Sequence, residues 1–139
     1  MNRAACAGAG TTKSGIGTDI EEVARFTKIA MNKRLLLRTF SKNEIEYCRG
    51  KGSPERHFAG LFAAKEAAYK ALQQLDPVEV SPPALEVLHR PSGLPYLRIG
   101  SPALRRRVVV SISISHTSSY AVAVALASET AETGTNDLA

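Results

Sequence analysis

One stretch near the middle of the chain decides the fold, and it reads FAAKEAAYKAL from Phe62 to Leu72. Alanine, leucine, lysine and glutamate dominate this stretch and neither glycine nor proline interrupts it, so it favours an α-helix. Proline is well tolerated in the first turn of a helix, which makes Pro54 a natural starting point. We therefore predict a long helix that begins at about Pro54 or Glu55 and ends at Leu75.

Two charged residues of this helix, Glu66 and Lys70, are one turn apart and project from the same face. The simplest interpretation is a surface ion pair, which stabilises a helix by roughly 0.2–0.5 kcal/mol. On this helix alone that interpretation is the better one. A second carboxylate and a histidine elsewhere in the chain favour a functional interpretation.

The composition is that of one globular domain, because 139 residues can bury a core and 44% of them are apolar. We predict a flexible extension over residues 1–13, one domain over 14–128 and a disordered tail over 129–139. Cys6 and Cys48 form neither a disulfide framework nor a metal-ligand spacing, which fits a reducing cytoplasm. No apolar run is long enough to span a membrane.

The net charge of +5 indicates an anionic partner. Basic residues are scattered through the first half of the chain, and a short run stands at Arg105–Arg107. Few aromatic residues are interleaved with them, which weakens the case for a surface that stacks single-stranded bases. Nucleic acid, a phosphorylated small molecule and an acidic protein all remain open as partners.

Several segments alternate or cluster as strands do. We expect strands at Ser14–Ile20, Ala84–His89, Tyr96–Ile99, Val108–Ser115 and Tyr120–Ala127. Pro91-Ser92-Gly93 connects the second strand to the third as a hairpin turn.

Two shorter helices complete the expected fold. One runs from about Ile20 to Ile29 with Glu21 and Glu22 in its first turn, where the helix dipole favours acids. The other begins after Ser41, which forms a capping-box pattern with Glu44. The sequence thus predicts an α+β domain in which an antiparallel sheet packs on one long helix plus shorter helices.

Asp19 follows the residues Gly-Ile-Gly-Thr at the end of a predicted strand. Taken alone, it is better explained as the cap of the next helix. Paired with Glu66 it suggests a Mg²⁺ site, since Mg²⁺ takes oxygen ligands and commonly links one or two carboxylates to phosphates. Lys70 would then stand beside the metal and neutralise a phosphate oxygen. His116, in a connection rich in hydroxyls, could donate to a phosphate, although a lone histidine in a turn is usually only solvated.

Four motifs, taken in order, resemble the holo-[acyl-carrier-protein] synthases, which are AcpS-type 4′-phosphopantetheinyl transferases. The motifs are GIGTDI at 15–20 with Arg25 and Phe26, FAAKEA at 62–67 with Lys70 and Ala71, SGLPY at 92–96, and SISH at 113–116. The order of the motifs and the spacing between them agree with the family over about Gly15 to Leu126. One departure is Leu61, which stands where many members of the family have arginine and leaves the coenzyme A contacts less complete.

The resemblance implies the 4′-phosphopantetheinyl transferase fold and an enzymatic activity. The enzyme would transfer 4′-phosphopantetheine from coenzyme A to a serine of an apo acyl carrier protein, with Mg²⁺, and release adenosine 3′,5′-bisphosphate. It also implies a cytoplasmic homotrimer with active sites between protomers, whose partners are coenzyme A and the carrier rather than nucleic acid or membrane. Whether the carrier serves fatty-acid or polyketide synthesis stays open.

The same resemblance implies a role for each matching residue. The catalytic residues would be Asp19, Glu66 and Lys70, and the Mg²⁺ ligands Asp19 and Glu66. The coenzyme A contacts would be Arg56, Lys65, Lys70, Ser115 and His116. The carrier-protein contacts would be Arg25, Lys28, Lys33 and Arg34. The base that takes the serine proton stays open between Glu66 and a water bound to the metal.

Two alternatives compete with the transferase interpretation. A small basic nucleic-acid-binding module without catalysis would explain the positive charge, but it leaves Asp19 and Glu66 idle in repulsive positions. A non-catalytic carrier-protein binder would not need Asp19, Glu66 and Lys70 together. Mg²⁺-dependent binding of coenzyme A would separate the transferase from the nucleic-acid-binding module, whereas salt dependence would not, because both partners are anionic.

Overall fold

The fold is an α+β domain, in a computed structural model that describes residues 12–30, 32–76 and 79–130. Its elements in chain order are β1 (Ser14–Glu22), α1 (Val23–Ile29), α2 (Lys33–Thr39), α3 (Lys42–Arg49), α4 (Pro54–Gln73), a 3₁₀ turn (Pro82–Ala84), β2 (Leu85–His89), β3 (Pro95–Ile99), α5 (Pro102–Arg107), β4 (Val108–His116) and β5 (Tyr120–Glu129). Cys6, nearly all of the predicted extension and the tail beyond residue 130 lie outside the described residues.

The main sheet has three antiparallel strands in the order β1–β5–β4, and β2 and β3 form a separate antiparallel hairpin. In the main sheet Asp19 pairs with Ala123, and Ala121 pairs with both Glu21 and His116. The predicted fold class is therefore confirmed. None of the helices in the described residues is long and apolar enough to cross a membrane.

The inner face of this sheet packs against α4 at unusually short range. A Cβ atom on Gly17 would lie 1.9 Å from the carbonyl oxygen of Ala67, and one on Gly15 would lie 2.1 Å from that of Ala71. The alanines of β5 complete this inner face and are fully buried. Small residues on both sides let strand and helix approach closely, so the polar side chains next to them are held at fixed positions.

The outer face of the sheet carries large apolar side chains that the described residues leave exposed, together with small polar ones such as Ser113 and Ser115. The exposed apolar side chains are Ile16, Ile20, Val109, Tyr120, Val122, Val124 and Leu126. Contiguous exposed apolar surface of this kind is typical of a protein–protein interface. We refer to these seven residues as the outer face.

Several element bounds differ from the sequence-based expectation. The predicted helix start at Ile20 is wrong, because β1 keeps pairing with β5 up to Glu22 opposite Tyr120, and α1 begins at Val23. Helices α2 and α5 were not predicted. Strand β5 continues to Glu129, which the sequence placed in the tail.

Candidate functional site

Asp19 and Lys70 meet at the edge of the sheet formed by β1. The Lys70 ammonium donates to the carbonyl oxygen of Thr18 at 3.0 Å and to Oδ1 of Asp19 at 3.1 Å. Asp19 lies on the inner face of β1, and its side chain is only 14% exposed. Lys70 thus forms its ion pair with Asp19 on β1. Among the ion pairs of the described residues there is no Glu66–Lys70 pair.

The second oxygen of Asp19, Oδ2, is buried and has no hydrogen-bond partner among the described residues. A buried carboxylate oxygen without a donor is costly, and a bound cation would satisfy it. Glu66 is half-buried on α4 and adds a second carboxylate to the same surroundings. Its negative charge and that of Asp19 both raise the pKa of the neighbouring Glu21. The two predicted Mg²⁺ ligands therefore fit a cation.

Glu21 is a third carboxylate of this site that the sequence interpretation missed. Burial raises the pKa of Glu21 to about 7, and hydrogen bonding to Asp19 and the negative charges of Asp19 and Glu66 add to the effect. Arg25 opposes this increase through an ion pair of 2.6 Å. When Glu21 is protonated, its carboxyl can donate a hydrogen bond to Asp19. When Glu21 and Asp19 are both ionised, Glu21 has no proton to donate and Oδ2 of Asp19 stays without a partner. Strand alternation was the available signal, since Glu21 shares its face with Asp19.

No three histidine, cysteine, aspartate or glutamate side chains form a metal-binding group within 12–30, 32–76 and 79–130. Two carboxylates are nevertheless enough for Mg²⁺, which retains several waters and is commonly completed by substrate phosphates. The donor set is all oxygen, as this ion prefers.

The structure corrects the prediction that Lys65 contacts coenzyme A. Its side chain is 2% exposed, and its ammonium donates to the carbonyl oxygens of Pro82 and Leu85 at 2.9 and 2.7 Å and to Glu44 at 2.8 Å. These three acceptors use all its donors. Lys65 therefore ties α4 to α3 and β2, and a bound ligand has no access to it.

Arg56 and His116 do lie together, in a pocket on the opposite side of α4. The cavity measures about 180 Å³ and is lined by Tyr47, Arg56, His57, Gly60, Leu61, His89, Gly93, Pro95, Ile114 and His116. Nε of Arg56 is buried and has no hydrogen-bond partner among the described residues. Ser115, the other predicted contact on β4, is exposed on the outer side of the sheet opposite Val122, away from this cavity.

A single chain does not bring all the predicted residues into one site. Lys70 reaches β1, whereas Gly60, which lines the pocket, packs against Ile114 of β4. These strands are the two edges of the sheet, roughly 10 Å apart, and α4 packs on both of them. Asp19, Glu66 and Lys70 therefore stand on one side of α4, and Arg56 and His116 on the other.

The chain is similar to known proteins over most of its length. A family model described as the 4′-phosphopantetheinyl transferase superfamily matches residues 15–125. The chain belongs to this superfamily. A holo-[acyl-carrier-protein] synthase of Protochlamydia amoebophila is 41% identical over 117 residues, which cover 81% of this chain and 95% of the relative. One of Geobacter sulfurreducens is 36% identical over 79% of this chain and 93% of the relative.

Solved structures give the same assignment. A holo-(acyl-carrier-protein) synthase of Bacillus anthracis, crystallised with CoA (3′,5′-ADP), matches with a TM-score of 0.72 at 34% identity, covering 86% of this chain and all of that one. One of Helicobacter pylori in complex with coenzyme A has a TM-score of 0.68 at 32% identity, covering 79% and 96%. The expected family and the transferase class are both confirmed.

The predicted carrier-binding residues of this phosphopantetheinyl transferase lie on α1 and α2. Arg25, Lys28, Lys33 and Arg34 are all exposed. Arg25 is held in place by Glu21, whose carboxylate it meets one turn away. The four cations thus form a basic surface that begins beside the carboxylates of the site.

Proposed function

We propose that this protein transfers the 4′-phosphopantetheine group of coenzyme A to a serine of an apo acyl carrier protein in the cytoplasm, using Mg²⁺ and releasing adenosine 3′,5′-bisphosphate. The observation that carries the proposal is the buried, unpaired Oδ2 of Asp19 beside Lys70 and Glu66. Relatives and solved neighbours bear the name of this activity, and some of those neighbours contain coenzyme A.

In this proposal Asp19 and Glu66 hold Mg²⁺. When bound, the ion supplies positive charge against the pyrophosphate oxygens on which negative charge accumulates. Lys70, already directed at Asp19, orients a phosphoryl oxygen and stabilises its charge in the transition state. The serine of the carrier attacks the β-phosphate, and Glu66 is our candidate for the group that takes the serine proton.

A mass measurement tests the transfer directly. The protein is incubated with coenzyme A, Mg²⁺ and an apo carrier protein, and the carrier is then weighed by mass spectrometry. We expect a gain of one phosphopantetheine group, which Asp19→Ala and Glu66→Ala abolish. Glu46→Ala, which removes an exposed carboxylate of α3, is the matched control and keeps the activity. Carriers of several types that all keep their mass would refute the transferase.

The carrier-binding surface predicts a dependence on charge. Carrier proteins of this kind are acidic, so Arg25, Lys28, Lys33 and Arg34 would attract them electrostatically. Lys33→Glu combined with Arg34→Glu should raise the KM for the carrier and leave the KM for coenzyme A unchanged. The same pair of changes at Arg105 and Arg106 on α5 is the control. An equal effect of both pairs would show only a general effect of net charge.

The outer face would be covered by further copies of the chain in a homotrimer. All three strands expose apolar residues on this face, so apolar surfaces of neighbouring copies could pack against one another there. Ser115 lies on the same face, opposite Val122. Val124→Asp should convert the trimer into smaller species in light scattering coupled to gel filtration. Leu94→Glu places a charge on an exposed apolar residue of the hairpin, away from the outer face, and should leave the mass unchanged. A wild-type mass of one chain, 14.9 kDa, would contradict the trimer.

A shared active site would explain why α4 separates the two groups of residues. One copy would contribute Asp19, Glu66 and Lys70, and its neighbour would contribute Arg56 and His116. Mixing inactive Asp19→Ala with inactive Arg56→Ala, after unfolding and refolding together, should then restore part of the activity, because some interfaces receive both intact groups. Persistent inactivity of the mixture, with trimers formed, would locate each site within one chain.

A further inference from the structure

The pocket beside the first turn of α4 gathers every histidine of the chain. The sequence holds three, at positions 57, 89 and 116, and all of them line the cavity. They arrive from α4, from the end of β2 and from the end of β4. Such convergence of distant residues concentrates groups that titrate near neutral pH in one place.

The rings form a continuous chain of contacts. Tyr47 is stacked on His89, with ring centres 3.9 Å apart, and carries the ammonium of Lys51 at 4.6 Å from its ring centre. His57 meets the ring of Tyr47 edge-on at 5.8 Å and that of His116 at 6.0 Å. His57 is thus the central ring, between a rigid stacked pair and the exposed His116.

Charged and titratable groups face His57 from several elements. Lys51 follows α3, Arg56 precedes His57 on α4, and His89 and His116 come from β2 and β4, while Glu55 supplies the nearby negative charge. Burial and then the charges of His116, Lys51 and Arg56 lower the pKa of His57, and Glu55 raises it. Burial likewise lowers the pKa of His89. With the pocket empty, His57 is therefore neutral near pH 7.

An anion in the pocket reverses this balance. The cavity of about 180 Å³ is small for a whole nucleotide and suits a phosphate group. The unpaired Nε of Arg56 and the positive end of the helix dipole of α4 both favour an anion there. A phosphate beside His57 would cancel the repulsion from Lys51, Arg56 and His116 and stabilise the imidazolium, which can then donate a hydrogen bond to it.

We propose that the phosphorylated nucleotide end of coenzyme A binds in this pocket together with a proton that is taken up by His57. The proposal rests on the proposed function for the identity of the ligand and adds His57 as a binding residue. A proton that enters with the ligand makes affinity pH-dependent. Because a bound phosphate raises the lowered pKa of His57, affinity should fall as pH rises from the pKa of free His57 to that of bound His57, by up to roughly tenfold per pH unit.

Titration calorimetry in buffers of different ionisation enthalpy measures the number of protons that the complex takes up on binding. Coenzyme A is titrated into the whole protein at pH 7.5 in phosphate-free buffers, and dephospho-coenzyme A, which lacks the 3′-phosphate, is titrated in parallel. We expect uptake of a large fraction of one proton with coenzyme A and much less with the dephospho form. Equal uptake with both would show that the 3′-phosphate does not cause the protonation of His57 and would contradict this inference.

Two variants identify the residue. His57→Gln keeps a hydrogen-bonding side chain that cannot be charged, and it should abolish the proton uptake and flatten the pH dependence of the Kd. His89→Gln, at the other end of the same ring chain, should retain the uptake. Binding of coenzyme A without proton uptake, or uptake lost in His89→Gln and kept in His57→Gln, would refute this inference alone. No binding of coenzyme A at any pH would refute the proposed function as well.

Discussion

Replacing Lys65 by methionine tests whether this lysine is structural, as the fold indicates, or binds ligand, as the motif suggested. Methionine keeps much of the aliphatic stem and removes the ammonium. The change leaves the Glu44 carboxylate, which is fully buried, with only the backbone N–H groups of Val87 and Ser41 as donors. It also leaves two carbonyl oxygens, of Pro82 and Leu85, without their donor.

The expected cost follows from these contacts. Burial raises the pKa of Glu44 and lowers that of Lys65, and each partner's charge opposes the shift of the other. Removing one member of such a buried pair costs about 3–5 kcal/mol, since the other charge stays buried without its partner. That is a large fraction of the roughly 5–15 kcal/mol by which domains are stable. Glu44→Gln combined with Lys65→Met should cost less than the sum of the two single changes.

Urea unfolding at one fixed protein concentration measures the loss, since the stability of an oligomer depends on concentration. With a slope of roughly 1–3 kcal/mol per molar urea, we expect the midpoint to fall by on the order of 2 M. Lys70→Met on the same helix removes a half-exposed ammonium and should cost less than Lys65→Met, because water can reach part of its contacts. An unchanged midpoint for Lys65→Met, combined with weakened binding of coenzyme A, would refute the structural role.

Three further predictions concern the carboxylate site and its supports. Gly17→Ala should destabilise the fold by about 1–3 kcal/mol and slow transfer, because the new Cβ meets the backbone of Ala67. The control is Gly52→Ala, whose new Cβ meets no atom within 4 Å, and it should change neither the unfolding midpoint nor the transfer rate. Lys70→Ala should slow transfer by roughly 10²-fold or more. The control is Gln74→Ala, which loses two hydrogen bonds to Ile16 of the same strand and should lower the stability without slowing transfer. Because the pKa of Glu21 is raised from 4.5 to about 7, wild-type stability without Mg²⁺ should fall as pH rises through that range. Glu21→Gln should lose less stability over the same range, and an identical pH profile would refute the assignment.

The elements with strong local signals were predictable. The long helix, the strands and the capping box at Ser41 and Glu44 all appear in the structure close to where the sequence indicated. Helices α2 and α5 were overlooked although each has a cap, since Asn32 accepts from the N–H groups of Arg34 and Leu35, and Ser101 from that of Leu104. A run of leucines and a run of arginines hid the helical pattern in these two segments.

The candidate site was partly predictable. The motifs predicted Lys70 beside a metal held by Asp19 and Glu66, and in the structure Lys70 lies against Asp19, because the motifs are on two elements that pack closely. Lys65 had a signal that was not used: on a helix it shares a face with Leu61, Ala68 and Leu72, which are all buried. The histidine pocket had no local signal, since its residues come from five separate elements and the turn between β2 and β3.

The sequence by itself determined the fold class, the family and the pair of charged motifs, because periodicity, caps and turn residues are local properties. It showed that β5 alternates large apolar residues with alanine, but not which set faces inward. The tertiary structure decided that the alanines do, since α4 approaches β1 over Gly15 and Gly17 so closely that only small side chains fit between helix and sheet. The same close packing leaves Val122, Val124 and Leu126 exposed and divides the charged residues between the two sides of α4.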